Sequence, residues 1–194
     1  MDKPKVITIY TESSPNPNSQ KFVFDFYLIE NMSFDYQGKE GTENCPVAQA
    51  LFETFDFVEG VFVAANFITI TKKVETDWYE VNIPIKEFLK KYIEDEKPLF
   101  LEGIQQEVAK EDVKTSVAGS EIDEQIKAVL DDYVRPAVES DGGAISFHSF
   151  KDGVVKVELK GACSGCPSST VTLKSGIENL LKRMVPGVET VEAI

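Results

Sequence analysis

Apolar and polar residues alternate cleanly near the C-terminal end of this chain. In Val154–Lys160, Val155, Val157 and Leu159 share one face, while Lys156, Glu158 and Lys160 share the other. This period of two predicts a half-buried strand. Asp152-Gly153 precedes it as a hairpin turn, and Ala144–Phe150 reads as the partner strand. Helical spacing flanks the pair. Upstream, Ile122, Ile126, Val129, Leu130 and Val134 fall on one face, with Ser120 as N-cap and Pro136 expected to kink or end the helix. Downstream, Leu173, Ile177, Leu180, Leu181 and Met184 mark a second helix, which Pro186-Gly187 stops before a strand over Val188–Val191. The order is α-β-β-α-β, with helices on one face of a small sheet.

The first half is also mixed. Val6–Tyr10 and Phe22–Leu28 are β-rich and are separated by the turn formers Ser13-Ser14-Pro15-Asn16-Pro17-Asn18-Ser19. Cys45-Pro46 opens a helical run with Val47, Ala50, Leu51 and Phe55 on one face. Val61–Val63 and Phe67–Thr71 form a hairpin, and Ile85, Phe88, Leu89 and Tyr92 mark a closing helix. Phe22, Phe24, Phe26 and Trp78 read as core rather than as a binding face. The fold class is α+β in two small domains. Residues 1–93 form the first domain, 94–120 an acidic linker, and 121–194 the second domain. The linker carries seven acidic against three basic residues, with a short helix around Ile104–Val108.

Length, charge and cysteine usage narrow the function. At 194 residues the chain suits two domains of about 100 residues. A net charge of −13 without a basic stripe argues against binding nucleic acid or an anionic membrane. Three cysteines are too few, and odd in number, for a disulfide scaffold. The first residues, Met1-Asp2-Lys3-Pro4-Lys5-Val6, lack the marks of a signal or transit peptide. A cytoplasmic location is the simplest expectation from these features.

Candidate chemistry lies between the last predicted hairpin and the last helix, in Gly161-Ala162-Cys163-Ser164-Gly165-Cys166-Pro167-Ser168-Ser169. Pro167 suits a first helical position, so Cys163 and Cys166 sit at a helix N-terminus, where the dipole favours thiolate. Thiolates serve thiol redox chemistry or soft-metal binding. A β-hairpin precedes the motif, where a thioredoxin-like site would have a crossover helix, and the aromatic and Gly-Pro residues common in such sites are absent. Cys45 reads as a helix-starting or gap-filling residue, and His148, the only histidine, as an exposed or rim residue.

Residues 121–194 resemble the C-terminal domain of the NifU family, the Nfu-type iron–sulfur cluster carriers. The resemblance rests on Arg135-Pro136, Asp141-Gly142-Gly143, the nine residues from Gly161, Thr172-Leu173-Lys174 and Gly176-Ile177-Glu178. The first domain resembles the Nfu N-terminal domain through Pro15-Asn16-Pro17-Asn18, Lys21-Phe22 and Phe67-Ile68-Thr69-Ile70-Thr71-Lys72. The resemblance implies a carrier, not an enzyme, that binds a 4Fe–4S cluster through Cys163 and Cys166 and passes it to apo iron–sulfur client proteins. It also implies an upstream cluster-assembly scaffold as donor. Asp141, Gly142 and Gly143 carry over as a structural turn. Ala144 departs from the family, where an acidic residue often follows the turn. Ala64 and Asn66 stand where a Gly and an Asp are usual. The cysteine-bearing assembly domain and central ferredoxin-like domain of full-length NifU have no counterpart, which favours delivery or storage over primary assembly.

Four thiolates hold such a cluster and one chain offers two at the motif, so two chains share it as a homodimer or an external thiol completes the shell. A thiol–disulfide oxidoreductase, with Cys163 as nucleophile and Cys166 as resolving thiol, and a zinc-bridged structural dimer are the alternatives.

Overall fold

The computed structural model describes residues 7–30, 32–101, 121–164 and 167–194, with no side-chain description over 167–170. Ser120, the short helix expected around Ile104–Val108, and Gly165-Cys166 lie outside the described residues.

The first domain is a five-stranded antiparallel sheet in the order β1-β2-β5-β4-β3. Its elements are β1 (Ile9–Ser13), β2 (Ser19–Phe24), β3 (Ser33–Tyr36), α1 (Pro46–Thr54), β4 (Val58–Ala64), β5 (Phe67–Lys72) and α2 (Trp78–Glu94). Alternation sends Phe22, Phe24, Val61, Val63, Ile68 and Ile70 to one face, where Val47 and Leu51 of α1 and Ile85 and Leu89 of α2 cover them. The Asp77 carboxylate caps α2, accepting from the Tyr79 amide at 2.9 Å. Phe22 and Phe24 are core, as expected, with 0% and 1% exposure. The first strand starts later than the Val6–Tyr10 reading, and β3 is an element the sequence pattern did not reveal.

The opposite face of the sheet is apolar too. Val23, Phe62, Ala64 and Phe67 form a separate buried cluster, against which Ala65 and Ala144 pack. A sheet apolar on both faces needs cover on both. Ala144 belongs to the second domain, so that domain supplies part of the second cover.

The second domain has the α-β-β-α-β order expected. Its elements are α3 (Glu121–Val129), a π-helical turn (Leu130–Val134), α4 (Arg135–Ser140), β6 (Gly143–Lys151), β7 (Val154–Gly161), α5 (Pro167–Met184) and β8 (Thr190–Ala193). The sheet order is β6-β7-β8, with β7 and β8 parallel. Pro136 marks the interruption expected, since the regular α-helix stops at Val129 and a new one begins at Arg135 after the π-helical turn. It falls in the first turn of α4, where its missing N–H costs little, and the π-turn before it absorbs the change in pairing. The hairpin turn at Asp152-Gly153 takes φ of 50° and 80°, as a two-residue turn with two left-handed residues requires. No described helix is long and apolar enough to cross a membrane.

Glu178 ties α5 to β8. Its carboxylate accepts from Lys182 Nζ at 2.6 Å, from Thr190 Oγ1 at 2.8 Å and from the Val191 amide at 3.1 Å. The Lys182 bond foremost, then the Val191 and Thr190 bonds, lower its pKa to about 2. An unfolded glutamate titrates near about 4.3, so the unfolded chain takes up the proton first on acidification. The stabilisation is therefore complete above that value and is lost as pH falls through about 2. Glu178→Gln should flatten the fall in melting temperature between pH 5 and pH 2, within roughly that window. Thermal unfolding of both proteins across this range checks it, and parallel curves would show that the carboxylate contributes nothing.

Candidate cluster-binding site

Two loops of the second domain frame Cys163. One is the turn Asp141-Gly142-Gly143 between α4 and β6, and the other follows Gly161 at the end of β7. Gly143 pairs with Gly161 across the β6–β7 ladder. The Gly142 carbonyl accepts from the Ala162 amide at 3.2 Å, and the Ser164 amide donates to the Gly161 carbonyl at 3.0 Å. Gly142 has φ of 84° and Gly161 of 65°, conformations that only glycine adopts without strain. The Asp-Gly-Gly turn thus has the structural role expected. Gly143 also allows a close approach, since a Cβ there would sit 2.9 Å from Cys163 Sγ.

Cys163 is 5% exposed and packs with the core of the second domain. It borders a cleft of about 380 Å³ whose other walls include Ser14, Pro15 and Asn16 of the first domain, Asp141, and Thr172 and Leu173 of α5. Cys166 lies outside the described residues. Among the described residues, no group of three or more His, Cys, Asp or Glu side chains could hold a metal ion. Among the described residues, the soft donor at the site is therefore Cys163, in a glycine-shaped loop ahead of α5, with the Asp141 carboxylate on the same cleft.

The first domain reaches this site through four polar side chains. Asn16 Nδ2 donates to the Ala162 carbonyl at 3.2 Å. Thr69 Oγ1 donates to the Gly142 carbonyl at 2.7 Å. Asp35 Oδ2 accepts from the Gly161 amide at 3.2 Å. Lys21 Nζ donates to the Ser140 carbonyl at 3.4 Å, while pairing with Glu12 at 2.9 Å and lying over the Phe67 ring. Burial pushes the Asp35 carboxyl above the ordinary carboxylate value, against the opposing pull of the Gly161 amide. Burial likewise raises Asp141, with Lys21 opposing. Asn16, Lys21 and Thr69 lie in the motifs that carry the first-domain resemblance, but their contacts with the cysteine loop were not foreseen, and Asp35 was not singled out at all. The available signal was the two-sided apolarity of Phe22-Val23-Phe24 and Val61-Phe62-Val63-Ala64, which calls for a second cover.

Cys45 is set apart from this site. It is fully buried in the first core and precedes Pro46 at the start of α1, as expected. Burial pushes its thiol up to about 11, so it stays protonated at neutral pH and is a poor ligand or nucleophile. His148 is exposed, beside a bulge between Phe147 and Ser149 in β6.

The architecture is that of a two-domain protein with a cysteine loop at the junction, and the comparisons give the family. Residues 9–96 match the model of the scaffold protein Nfu/NifU N-terminal domain, and residues 126–192 match that of the NifU-like domain. The human NFU1 iron-sulfur cluster scaffold homolog, mitochondrial, is 36% identical over 191 residues, which are 96% of this chain and 71% of the human protein. The Arabidopsis thaliana NifU-like protein 5, mitochondrial, is 37% identical over 194 residues, covering 99% of this chain and 70% of its own. The chain belongs to the Nfu/NifU family of scaffold proteins, which are not enzymes. The cytoplasmic expectation is corrected here, because the relatives' names point to the mitochondrion. Targeting segments are removable and carry no information about the fold, so the first six residues were a poor guide to address.

Gly161 offers a direct test of the junction. A Cβ on it would lie 2.7 Å from the Gly142 carbonyl oxygen and 2.8 Å from the Phe62 ring. Gly187 has φ of 95° but open space around it. Gly187→Ala should cost only backbone strain, on the order of 1 kcal/mol. Gly161→Ala should cost more, about 2–3 kcal/mol, because the contacts with the Gly142 carbonyl and the Phe62 ring both add to the strain. Urea unfolding midpoints of the two variants check this, and equal losses would remove both contacts from the account.

Proposed function

We propose that this chain carries a 4Fe–4S cluster, held by Cys163 and Cys166 and shared between two chains, and delivers it to apo iron–sulfur proteins. Membership of a family whose relatives are named iron–sulfur cluster scaffolds supports the scaffold role. The observation that carries the finer reading is the position of Cys163. It lies in a loop shaped by Gly143 and Gly161, immediately ahead of α5, with Cys166 three residues further on. A thiolate at a helix N-terminus is favoured by the positive end of the dipole, and the small Ser164 and Gly165 between the two cysteines suit an inorganic guest. The buried, protonated Cys45 is a poor candidate for a third ligand. Two thiolates per chain then make a four-thiolate shell from two chains.

A site built between two chains opens when they part, and a client's thiolates can then replace Cys163 and Cys166 one at a time. An upstream assembly scaffold is the matching donor; the expected linker starts later than residue 94, since Leu99 and Phe100 pack on the first core, and the acidic segment beyond them would tether the two domains within reach of each other.

Reconstitution with iron and sulfide should give about one 4Fe–4S cluster per two chains. Cys163→Ala and Cys166→Ala should each abolish binding, while Cys45→Ala should leave it nearly intact. Iron and sulfide analysis with visible absorption reads the result. A colourless dimer that forms only with zinc would support the structural-zinc alternative, and a colourless monomer that reduces disulfides the redox one. The loaded protein should also activate an apo-4Fe–4S enzyme in the presence of a chelator. Retention of the cluster without activation would leave a structural or electron-transfer cluster as the better account.

A further inference from the structure

We propose that the first domain is a latch over the cysteine loop. Docked, it holds Cys163 out of reach, and its release exposes the thiol for cluster binding. The use of the exposed thiol rests on the carrier reading, whereas the latch itself does not.

Three observations carry the proposal. First, Asn16, Asp35 and Thr69 spend their polar atoms on the backbone of Ala162, Gly161 and Gly142, the residues that bracket Cys163. Asn16 and Thr69 are 6% and 1% exposed. Asn16 is itself held in place, since its Oδ1 accepts from the Asn18 amide at 3.0 Å and its amide donates to Ser14 Oγ at 3.2 Å. This loop is built to present a donor to Ala162. Second, Val23, Phe62, Ala64 and Phe67 face the second domain, with Ala144 packed on them and the Gly161 backbone against the Phe62 ring. Third, the cleft beside Cys163 has residues of both domains as its walls, and Cys163 is nearly inaccessible with the domains docked.

A cluster shared between two chains needs the sulfur to be reachable from outside. Cys163 is enclosed by its own core on one side and borders, on the other, the cleft that Ser14, Pro15 and Asn16 help to wall, so freeing the loop on that side is the step the latch controls. The contact suits a reversible device. It consists of a few side-chain-to-backbone hydrogen bonds around a small apolar centre, and contacts of this kind between domains open readily. A thiol kept covered until release is also protected from oxidation, which follows thiolate character and exposure.

The test uses the full chain without iron. Cys163 alkylation by N-ethylmaleimide is followed by peptide mass mapping, with Cys45 as an internal control for global unfolding. Two variants weaken the latch by different chemistry: Asn16→Ala with Thr69→Val removes two hydrogen bonds, and Phe62→Asp spoils the apolar centre. Each should raise Cys163 labelling about tenfold or more, because labelling follows the population of the open form. Cys45 should stay protected in both. Small-angle scattering of the parent protein should give a radius of gyration near about 16 Å, the value for one compact body of this length, with clear expansion in the variants. Equal Cys163 labelling in parent and variants, a rise in Cys45 labelling in step with Cys163, or an extended parent protein would each overturn the latch. The released variants should also bind cluster at least as fully as the parent. If no form of the protein binds cluster while the labelling contrast holds, the carrier reading fails and the latch stands.

Discussion

Backbone atoms in the two loops around Cys163 need partners, and the second domain supplies only some of them. The Gly142 carbonyl takes one hydrogen bond from Ala162 within its own domain and another from Thr69 across the junction. The Gly161 amide and the Ala162 carbonyl turn to Asp35 and Asn16. Unpaired polar groups in such a buried place would each cost on the order of 1–3 kcal/mol. The same requirement works in the other direction, because the outer face of the five-stranded sheet is apolar and needs cover. The two demands meet at one junction, and the cysteine loop lies on it.

This arrangement gives the same residue type two different fates. Cys45 is enclosed by a finished core, with a thiol that holds its proton. Cys163 is buried too, within the second core on one side and beside a cleft walled by both domains on the other. Burial deep in a core is broken only by unfolding, whereas the side of Cys163 that borders the cleft lies within reach of a shift of one domain. Solvent exposure alone does not separate the two residues. What separates them is which motion would uncover each.

Much of the fold could be read in the sequence because its elements carry strong periods. Val155, Val157 and Leu159 announce β7, and Ile177 and Leu181 announce α5; all five are buried. Strand β3 escaped because it has four residues, too few to show a period, and draws its order from pairing with β4. At Pro136 the expectation of a kink or stop found a real break, but not its form, a π-turn over Leu130–Val134 just upstream. The cysteine motif was legible as chemistry. Its surroundings were not, because Asn16 and Asp35 act on residues 146 and 126 positions away and leave no periodic trace. Apolar side chains on both faces of β2 and β4 did record that something must cover the second face, without saying what.

Ala144 links the histories of the two halves. It follows the Asp-Gly-Gly turn and lies against an apolar cluster that includes Phe62 and Phe67. A carboxylate there would lie against that cluster and lose part of its hydration, at a cost that apolar neighbours raise. The identity of a residue in one domain is therefore conditioned by the surface of the other. The halves of this chain are not interchangeable modules: a first domain grafted from another lineage would fit only if its outer sheet face and the residue after the turn had changed together.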